Sequence, residues 1–185
     1  VIADKVLTGD LNIPRESSMV TLLDIVRSGK VKFDKSRNDF PVTLHDPCNL
    51  VRLMGVVSPQ REIIEAVVPD GRFREMAPHG VENYCCGGGS GFAIMSGHNF
   101  ADWRHYMTGR KKFRQILEAF QGEEMDIDHP KYLCAPCSNC KGQIRDILAY
   151  YDAWEKAGIY YGGLVELMVN AMVDSQPGFI DWEWH

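Results

Sequence analysis

The chain has 185 residues, 45% hydrophobic and 24% charged, which is the balance of a soluble globular protein of one ordinary domain, or one large domain with a tail, able to bury a sizeable core. Its formal net charge of −5 argues against a nucleic-acid partner, because phosphate neutralisation needs a concentrated basic surface. No stretch approaches the roughly 20 apolar residues needed to cross a bilayer, and no basic-then-apolar leader is present.

Residues 1 to 20 are weakly patterned, with Asn12-Ile13-Pro14 as a break. Met19, Leu22, Leu23 and Val26 recur at helical spacing, and Ser28-Gly29-Lys30 is a credible stop. Phe40 to His45 is a short β-rich run ended by Asp46-Pro47, which predicts a buried strand with Cys48 just beyond its C-terminal end. Ser58-Pro59-Gln60-Arg61-Glu62 has the chemistry of a helix start, with Ser58 as N-cap, and Ile63, Ile64, Ala66, Val67 and Val68 form the apolar face before Pro69-Asp70-Gly71 ends it. Phe73 to Met76 is a second candidate strand, followed by the stretch Tyr84-Cys85-Cys86-Gly87-Gly88-Gly89-Ser90-Gly91. A helix is expected to begin within Gly91 to Met95.

Trp103, Tyr106, Phe113, Ile116, Leu117 and Phe120 fit a longer amphipathic helix interrupted at Thr108-Gly109. Its basic run, Arg110 to Arg114, reads as a solvated face or a docking patch. After an acidic, exposed linker to Pro130, Lys131 to Cys134 is a third candidate strand, and Ser138 or Asn139 caps a helix running through Ile144, Ile147, Leu148 and Tyr151. Leu164 to Val173 is a final helix, and the tail from Asp174 to His185 has no regular period. Alternating strands and helices predict an α/β fold: a small parallel sheet with helices on its faces. Ligands of such sheets sit where loops converge at the C-terminal ends of strands. All three cysteine stretches follow candidate strands, so the cysteine loops are expected to meet at that edge.

Every one of the six cysteines lies in one of three turn-rich stretches: Cys48; Cys85 and Cys86; Cys134, Cys137 and Cys140. A disulfide framework of three bridges belongs to smaller, core-poor secreted domains. The adjacent pair and the spaced trio read as reduced, metal-bound thiolates in a cytoplasm. Zinc asks for a closed tetrahedron, which neighbouring residues rarely supply with two thiolates. Cys134, Cys137 and Cys140 with a remote fourth thiolate such as Cys48 resemble a cubane iron–sulfur arrangement, which leaves the adjacent pair without a role. Glycines allow the backbone after Cys86 to lie tightly against a bulky inorganic group. Gly87, Gly88 and Gly89 form either an anion-binding nest of amides or a plain tight turn.

His45-Asp46-Pro47-Cys48, then 36 residues, then Cys85-Cys86-Gly87-Gly88-Gly89, then Ala135-Pro136-Cys137-Ser138-Asn139-Cys140, resembles the cysteine-rich CCG domain of heterodisulfide reductase B and related oxidation systems. The resemblance covers roughly residues 40 to 150. Cys137 to Asp146 followed by Tyr161 to Leu167 is similar to the C-terminal part of the K subunit family of the Dsr membrane complex that accompanies dissimilatory sulfite reductase. The resemblance implies a noncubane 4Fe-4S cluster on Cys48, Cys85, Cys86, Cys137 and Cys140, and reduction, or the reverse oxidation, of a disulfide or trisulfide. It implies membrane and cytoplasmic subunits of an electron-transfer complex as partners, a small disulfide-carrying protein or thiol as substrate, and a cytoplasmic place peripheral to the membrane.

Two features depart from the family pattern. Cys134 is an extra thiol, read first as a core cysteine, then as a ligand in place of Cys137, then as a redox partner for substrate; and the 50 residues between Cys86 and Cys137 are long for the family. A second CCG half and ferredoxin-type cysteines are missing and the chain opens on Val1, so it is expected to be part of a longer protein. The expected division is a connecting segment at 1–39, the CCG domain at 40–152 and a C-terminal helix with a docking tail at 153–185.

Beside the ligands, His45 and Asp46 either deliver protons to a departing thiolate or serve the turn and strand end. Lys141 and Arg145, one helical turn apart, either place positive charge near the site or are solvated. His79, His98, His105 and His129 show no ligand spacing, and Trp154, Tyr160, Tyr161, Trp182 and Trp184 suit core or interface.

Overall fold

A computed structural model describes residues 16–89, 103–180 and 182. Four short parallel strands make one sheet: β1 (Val42–Leu44), β2 (Phe73–Arg74), β3 (Lys131–Cys134) and β4 (Ile159–Gly162), in the order β2-β1-β3-β4. Parallel pairing needs crossovers, and helices supply them: α1 (Ser18–Arg27) precedes β1, α2 (Ser58–Val67) links β1 to β2, α3 (Arg110–Ala119) lies between β2 and β3, and α4 (Ser138–Tyr150) with the short α5 (Ala153–Ala157) links β3 to β4. The last helix is α6 (Leu164–Ala171). The predicted α/β class and all-parallel sheet are observed.

Side chains of successive strand residues face opposite sides, and the core divides accordingly. Val42, Leu44, Tyr132 and Cys134 face one layer, where Met19 and Leu23 of α1, Ile63, Ile64 and Val67 of α2 and Leu164 and Leu167 of α6 cover them. Leu133 and Ala135 face the other layer, with Ile116 of α3, Ile144 and Leu148 of α4, Ala153 of α5, and also Cys86 and Cys140. The sheet draws on residues from both sides of position 152, β4 and α6 completing layers that β1 to β3 begin.

Several boundaries differ from expectation. The fourth strand was not anticipated, although Ile159-Tyr160-Tyr161 bounded by glycines is a β-rich run; Gly162 must be glycine because a Cβ there would stand 1.9 Å from the Tyr132 hydroxyl, which donates to Gly163 O. Ser58 is the first residue of α2 rather than its cap, and Ser138 opens α4 with Cys137 at the N-cap position; neither cap position makes a side-chain cap bond. The break at Gly109 is observed, since a Cβ there would meet His105 O at 2.8 Å and Ile147 at 2.9 Å. A wide turn, Trp103–Thr108, precedes the break and α3 follows it. Trp182 is packed edge-on against Phe40 and Tyr160, at 4.8 and 5.3 Å between ring centres, so part of the tail covers the sheet. The expected helix start at Gly91 to Met95, with Ser90, Asn12 to Pro14, His98 and Trp184, lies outside the described residues.

Candidate metal centre

Because every strand runs the same way, the segments after β1, β2 and β3 leave the sheet at one edge. After β1, His45 N still donates to Cys134 O at 2.9 Å, extending the ladder by one residue, and the chain turns at Pro47, whose carbonyl accepts from Leu50 and Val51. Cys48 sits at this turn, half-buried. After β3, Cys137 stands half-buried before α4, and Cys140 is buried in its first turn.

The segment carrying Cys85 and Cys86 is tied to this edge by polar bonds rather than by strand pairing. Arg61 of α2 grips both oxygens of Asp46, at 2.9 and 2.7 Å, and both oxygens of Glu75, at 2.7 and 2.9 Å. Asp46 Oδ2 also accepts from Gly80 N at 2.6 Å. Arg52 donates to the carbonyls of Val81 and Asn83, and Gln115 of α3 donates to that of Pro78. The carboxylate of Asp46 is therefore committed to Arg61 and Gly80, which makes it the clamp between the β1 loop and the segment before Cys85, not a free proton carrier. Its partner Arg61 was not singled out from the sequence.

This clamp brings three buried donors together: His45, Cys86 and Cys140 present ligand atoms all within 4.8 Å of one another. The two sulfurs are 3.4 Å apart. Cys48 and Cys137 do not belong to that group, and Cys85 stands exposed beside Cys86. Gly87 N points at Cys85 Sγ at 3.3 Å and Gly88 N at Cys86 Sγ at 3.4 Å, so two of the three glycine amides face sulfur. Gly87 has φ +83°, and a Cβ on Gly88 would stand 2.6 Å from Gln143 Cβ, so the loop lies directly on α4. A Cβ on Gly89 would meet nothing within 4 Å among the described residues.

Hydrogen bonding and burial keep the Cys85 and Cys86 thiols protonated in the bare chain. The hydrogen bond with Cys140 pushes Cys86 up to about 12, and the bond with Cys86, then burial, raises Cys85 above the ordinary thiol range. A metal group bound here has to displace those protons. Burial, and then the nearby Lys112 charge, hold His45 well below its ordinary value, so its imidazole is neutral. The Asn83 amide nitrogen is 3.5 Å from His45 Nδ1, which leaves the imidazole hydrogen on Nε2. That Nε2 is buried without a partner among the described residues. A buried polar atom left open costs free energy, and the imidazole that carries it is grouped with the two thiols.

Lys112 corrects the reading of the basic run as a solvated or docking face. It is fully buried, with its ammonium on Asn83 Oδ1 at 2.9 Å, on Gln115 Oε1 and near Met76 Sδ at 3.8 Å. Burial lowers it to about 7, against the pull of Cys86, Asp46, Cys140 and Cys85. The sequence held a signal: Lys112, Gln115, Ile116 and Phe120 share one helical face, because residues three and four apart align. Arg110 and Lys111 are surface residues lying over the rings of Tyr106 and Tyr84.

Cys134 is as buried as Cys140 but belongs to the other layer, packed with Tyr132, Leu44 and Leu164. Burial is the first cause raising its thiol above the ordinary range, followed by Glu166. Lys141 is ion-paired with Glu166, and Arg145 with Asp146 at 2.9 Å. His129 binds Asp126 at 2.8 Å in the exposed linker, away from the thiols.

The cysteine-rich domain family designated CCG matches residues 42–145. The Hdr-like menaquinol oxidoreductase iron-sulfur subunit 2 of Archaeoglobus fulgidus is 31% identical over 153 residues, 80% of this chain and 25% of that protein. The D subunit of the dihydromethanophenazine:CoB--CoM heterodisulfide reductase of Methanosarcina barkeri is 36% identical over 151 residues, 82% of this chain and 32% of that protein. The chain thus spans a quarter to a third of the length of these relatives. No solved structure matches. None of the described helices is long and apolar enough to cross a membrane.

Proposed function

Since this chain belongs to the family of cysteine-rich CCG domains, we propose that it holds a noncubane 4Fe-4S cluster and acts as an electron-transfer oxidoreductase domain that breaks or forms S–S bonds. The observation that carries the reading is the buried pair Cys86 and Cys140, sulfurs 3.4 Å apart and grouped with the His45 imidazole, with the Gly88 amide on Cys86 Sγ. Soft thiolates suit iron–sulfur groups. Cys48, Cys85, Cys86, Cys137 and Cys140 would hold the cluster, on three segments that leave one edge of the sheet. A cubane using Cys134 has no such support, because that sulfur lies in the opposite layer.

When bound, the cluster supplies single electrons at a potential set by charge and hydrogen bonds around its sulfurs. The overall change is two electrons and two protons added to a disulfide, one S–S bond broken and two thiols released. His45, neutral and with its hydrogen on Nε2, is the residue placed to hold a proton at the site. Asp46 and Arg61 keep the loops in register, and the amides of Gly87 and Gly88 offset negative charge on sulfur. The electrons come from membrane and cytoplasmic partner subunits, which fits relatives named as subunits of oxidoreductases. In this reading the domain lies on the cytoplasmic side, peripheral to the membrane.

The test is iron and acid-labile sulfide per chain after anaerobic reconstitution, with paramagnetic resonance of the oxidised and reduced forms, for the unsubstituted chain and Cys86→Ser. Iron binding that Cys86→Ser abolishes, with circular dichroism unchanged, is the expected result. Unchanged iron in Cys86→Ser overturns the noncubane reading.

A further inference from the structure

A lysine buried without a carboxylate partner is unusual, because an isolated ammonium costs several kcal/mol to take out of water. Among the described residues two lysines are fully buried, Lys112 and Lys131. Lys131 is solvated by three main-chain carbonyls, of Asp126, His129 and Ala157, and Asp126, Glu123 and Glu124 act on it from the linker. The described partners of Lys112 are two side-chain amide oxygens and a thioether. No described carboxylate forms an ion pair with it, and Asp46, the carboxylate whose field reaches it, is already gripped by Arg61. The remaining groups whose charge would act on it are Cys86, Cys140 and Cys85, in their thiolate forms.

Asn83 joins the two sides. Its carbonyl oxygen accepts from Lys112, and its amide nitrogen faces His45 Nδ1, the imidazole that shares the site with Cys86 and Cys140. Gln115 holds the ammonium from one turn further along α3 and, through its own amide, the carbonyl of Pro78. The lysine nitrogen is thus fixed in place by neutral partners, where the negative charge of a bound cluster would keep it protonated.

We propose that Lys112 is the internal counter-cation of the thiolate site, a positioning residue whose fixed charge stabilises the reduced, more negative form of the bound cluster and so raises its reduction potential. This rests on the iron–sulfur reading above. A positive charge in a low-dielectric interior acts strongly on a neighbouring anion, and reduction adds one negative charge to the cluster. Removing the lysine charge moves the midpoint potential to more negative values and leaves the ligands themselves intact.

The experiment is a potentiometric titration, followed by paramagnetic resonance, of the full chain reconstituted anaerobically with iron and sulfide. It compares the unsubstituted protein with Lys112→Gln, which keeps an amide donor for Asn83, and with Lys112→Met. Arg114→Gln is the control: the same helix and the same unit of charge, but 80% exposed and paired with Glu118. The expected result is unchanged iron per chain in all four proteins, a clear negative shift of midpoint in both Lys112 variants, and none in Arg114→Gln. A midpoint that does not move in folded, iron-loaded Lys112→Gln overturns the proposal. A Lys112→Gln protein that folds but takes up no iron, or failure of both Lys112 variants to fold, assigns the lysine a packing role and also overturns it. No iron in the unsubstituted chain refutes the cluster reading instead.

Discussion

Cys134 and Cys140 are six positions apart, both buried, and the sheet gives them opposite fates. Cys134 ends β3 facing the layer of α1, α2 and α6, where its neighbours are Tyr132, Leu44 and Leu164. Cys140 lies in the first turn of α4 on the other side, 3.4 Å from Cys86 and grouped with His45. Burial alone therefore does not separate the two thiols. Position on the sheet does: strand alternation sends Cys134 into an apolar layer, while the start of α4 leaves Cys140 at the edge where the loops converge.

The sharpest way to break that contrast is to remove each thiol in turn. Cys140→Ser is expected to lose most of the iron of the reconstituted protein, whereas Cys134→Ala keeps it and costs only about 1 kcal/mol in denaturant unfolding, the scale of a small core truncation. Iron lost from Cys134→Ala and kept in Cys140→Ser would reverse the assignment of the faces.

Next in size is the clamp. Arg61→Met leaves the carboxylate of Asp46, whose side chain is fully buried, with the Gly80 amide as its main partner. Breaking a buried pair from one side costs about 3–5 kcal/mol, and here it also releases the β1 loop from the segment leading to Cys85. Urea unfolding should show the destabilisation, and iron per chain should fall with it. A variant as stable as the parent would show that Asp46 is held by its amide contact alone.

The glycine triplet divides along the same line. Gly88→Ala drives a Cβ against Gln143 Cβ and Asn139 O of α4, at 2.6 and 3.2 Å, and is expected to cost about 1–3 kcal/mol as an overpacked contact. Gly89→Ala meets no atom of the described residues within 4 Å and should change stability by less than about 0.5 kcal/mol. Thermal unfolding of the two variants distinguishes a loop packed on α4 from one that is simply a turn.

How much of this was legible in advance depends on which kind of force does the work. The three strands that precede the cysteine stretches were readable from β-rich runs ended by turn residues, and their common direction from alternation with helices. The fourth strand was harder, because Ile159-Tyr160-Tyr161 is short and its pairing with β3 is a non-local contact. The clustering of thiols was visible as spacing, and the resemblance of those spacings to the CCG pattern pointed to the family to which the chain belongs. The polar network was not visible. Arg61 reaches Asp46 across 15 positions and Lys112 reaches Asn83 across 29, and no periodicity encodes such pairs. A charged run suggests solvent, yet the helical phase of Lys112 with Ile116 places it on the inner face.

The smallest expected effect lies where the two layers meet near the end of β4. Glu166 of α6 pairs with Lys141 of α4, joining the helix of the apolar layer to the helix that carries Cys140. Burial pushes the Glu166 carboxyl up, but the Lys141 ammonium and the amides of Glu166 and Gly163 outweigh it and hold the group below its ordinary value of 4.5. A lowered value in the folded state means that the contribution is fully present above pH 4.5 and is lost as pH falls through the folded value. With the carboxylate 35% exposed, solvent screening limits that contribution to about 0.5 kcal/mol. Glu166→Gln should therefore lower stability slightly at pH 7 and reduce the difference in unfolding free energy between pH 7 and pH 3.5. An unchanged pH dependence would mean that the pair is formed without holding the layers together, leaving that work to the sheet core and the Asp46 clamp.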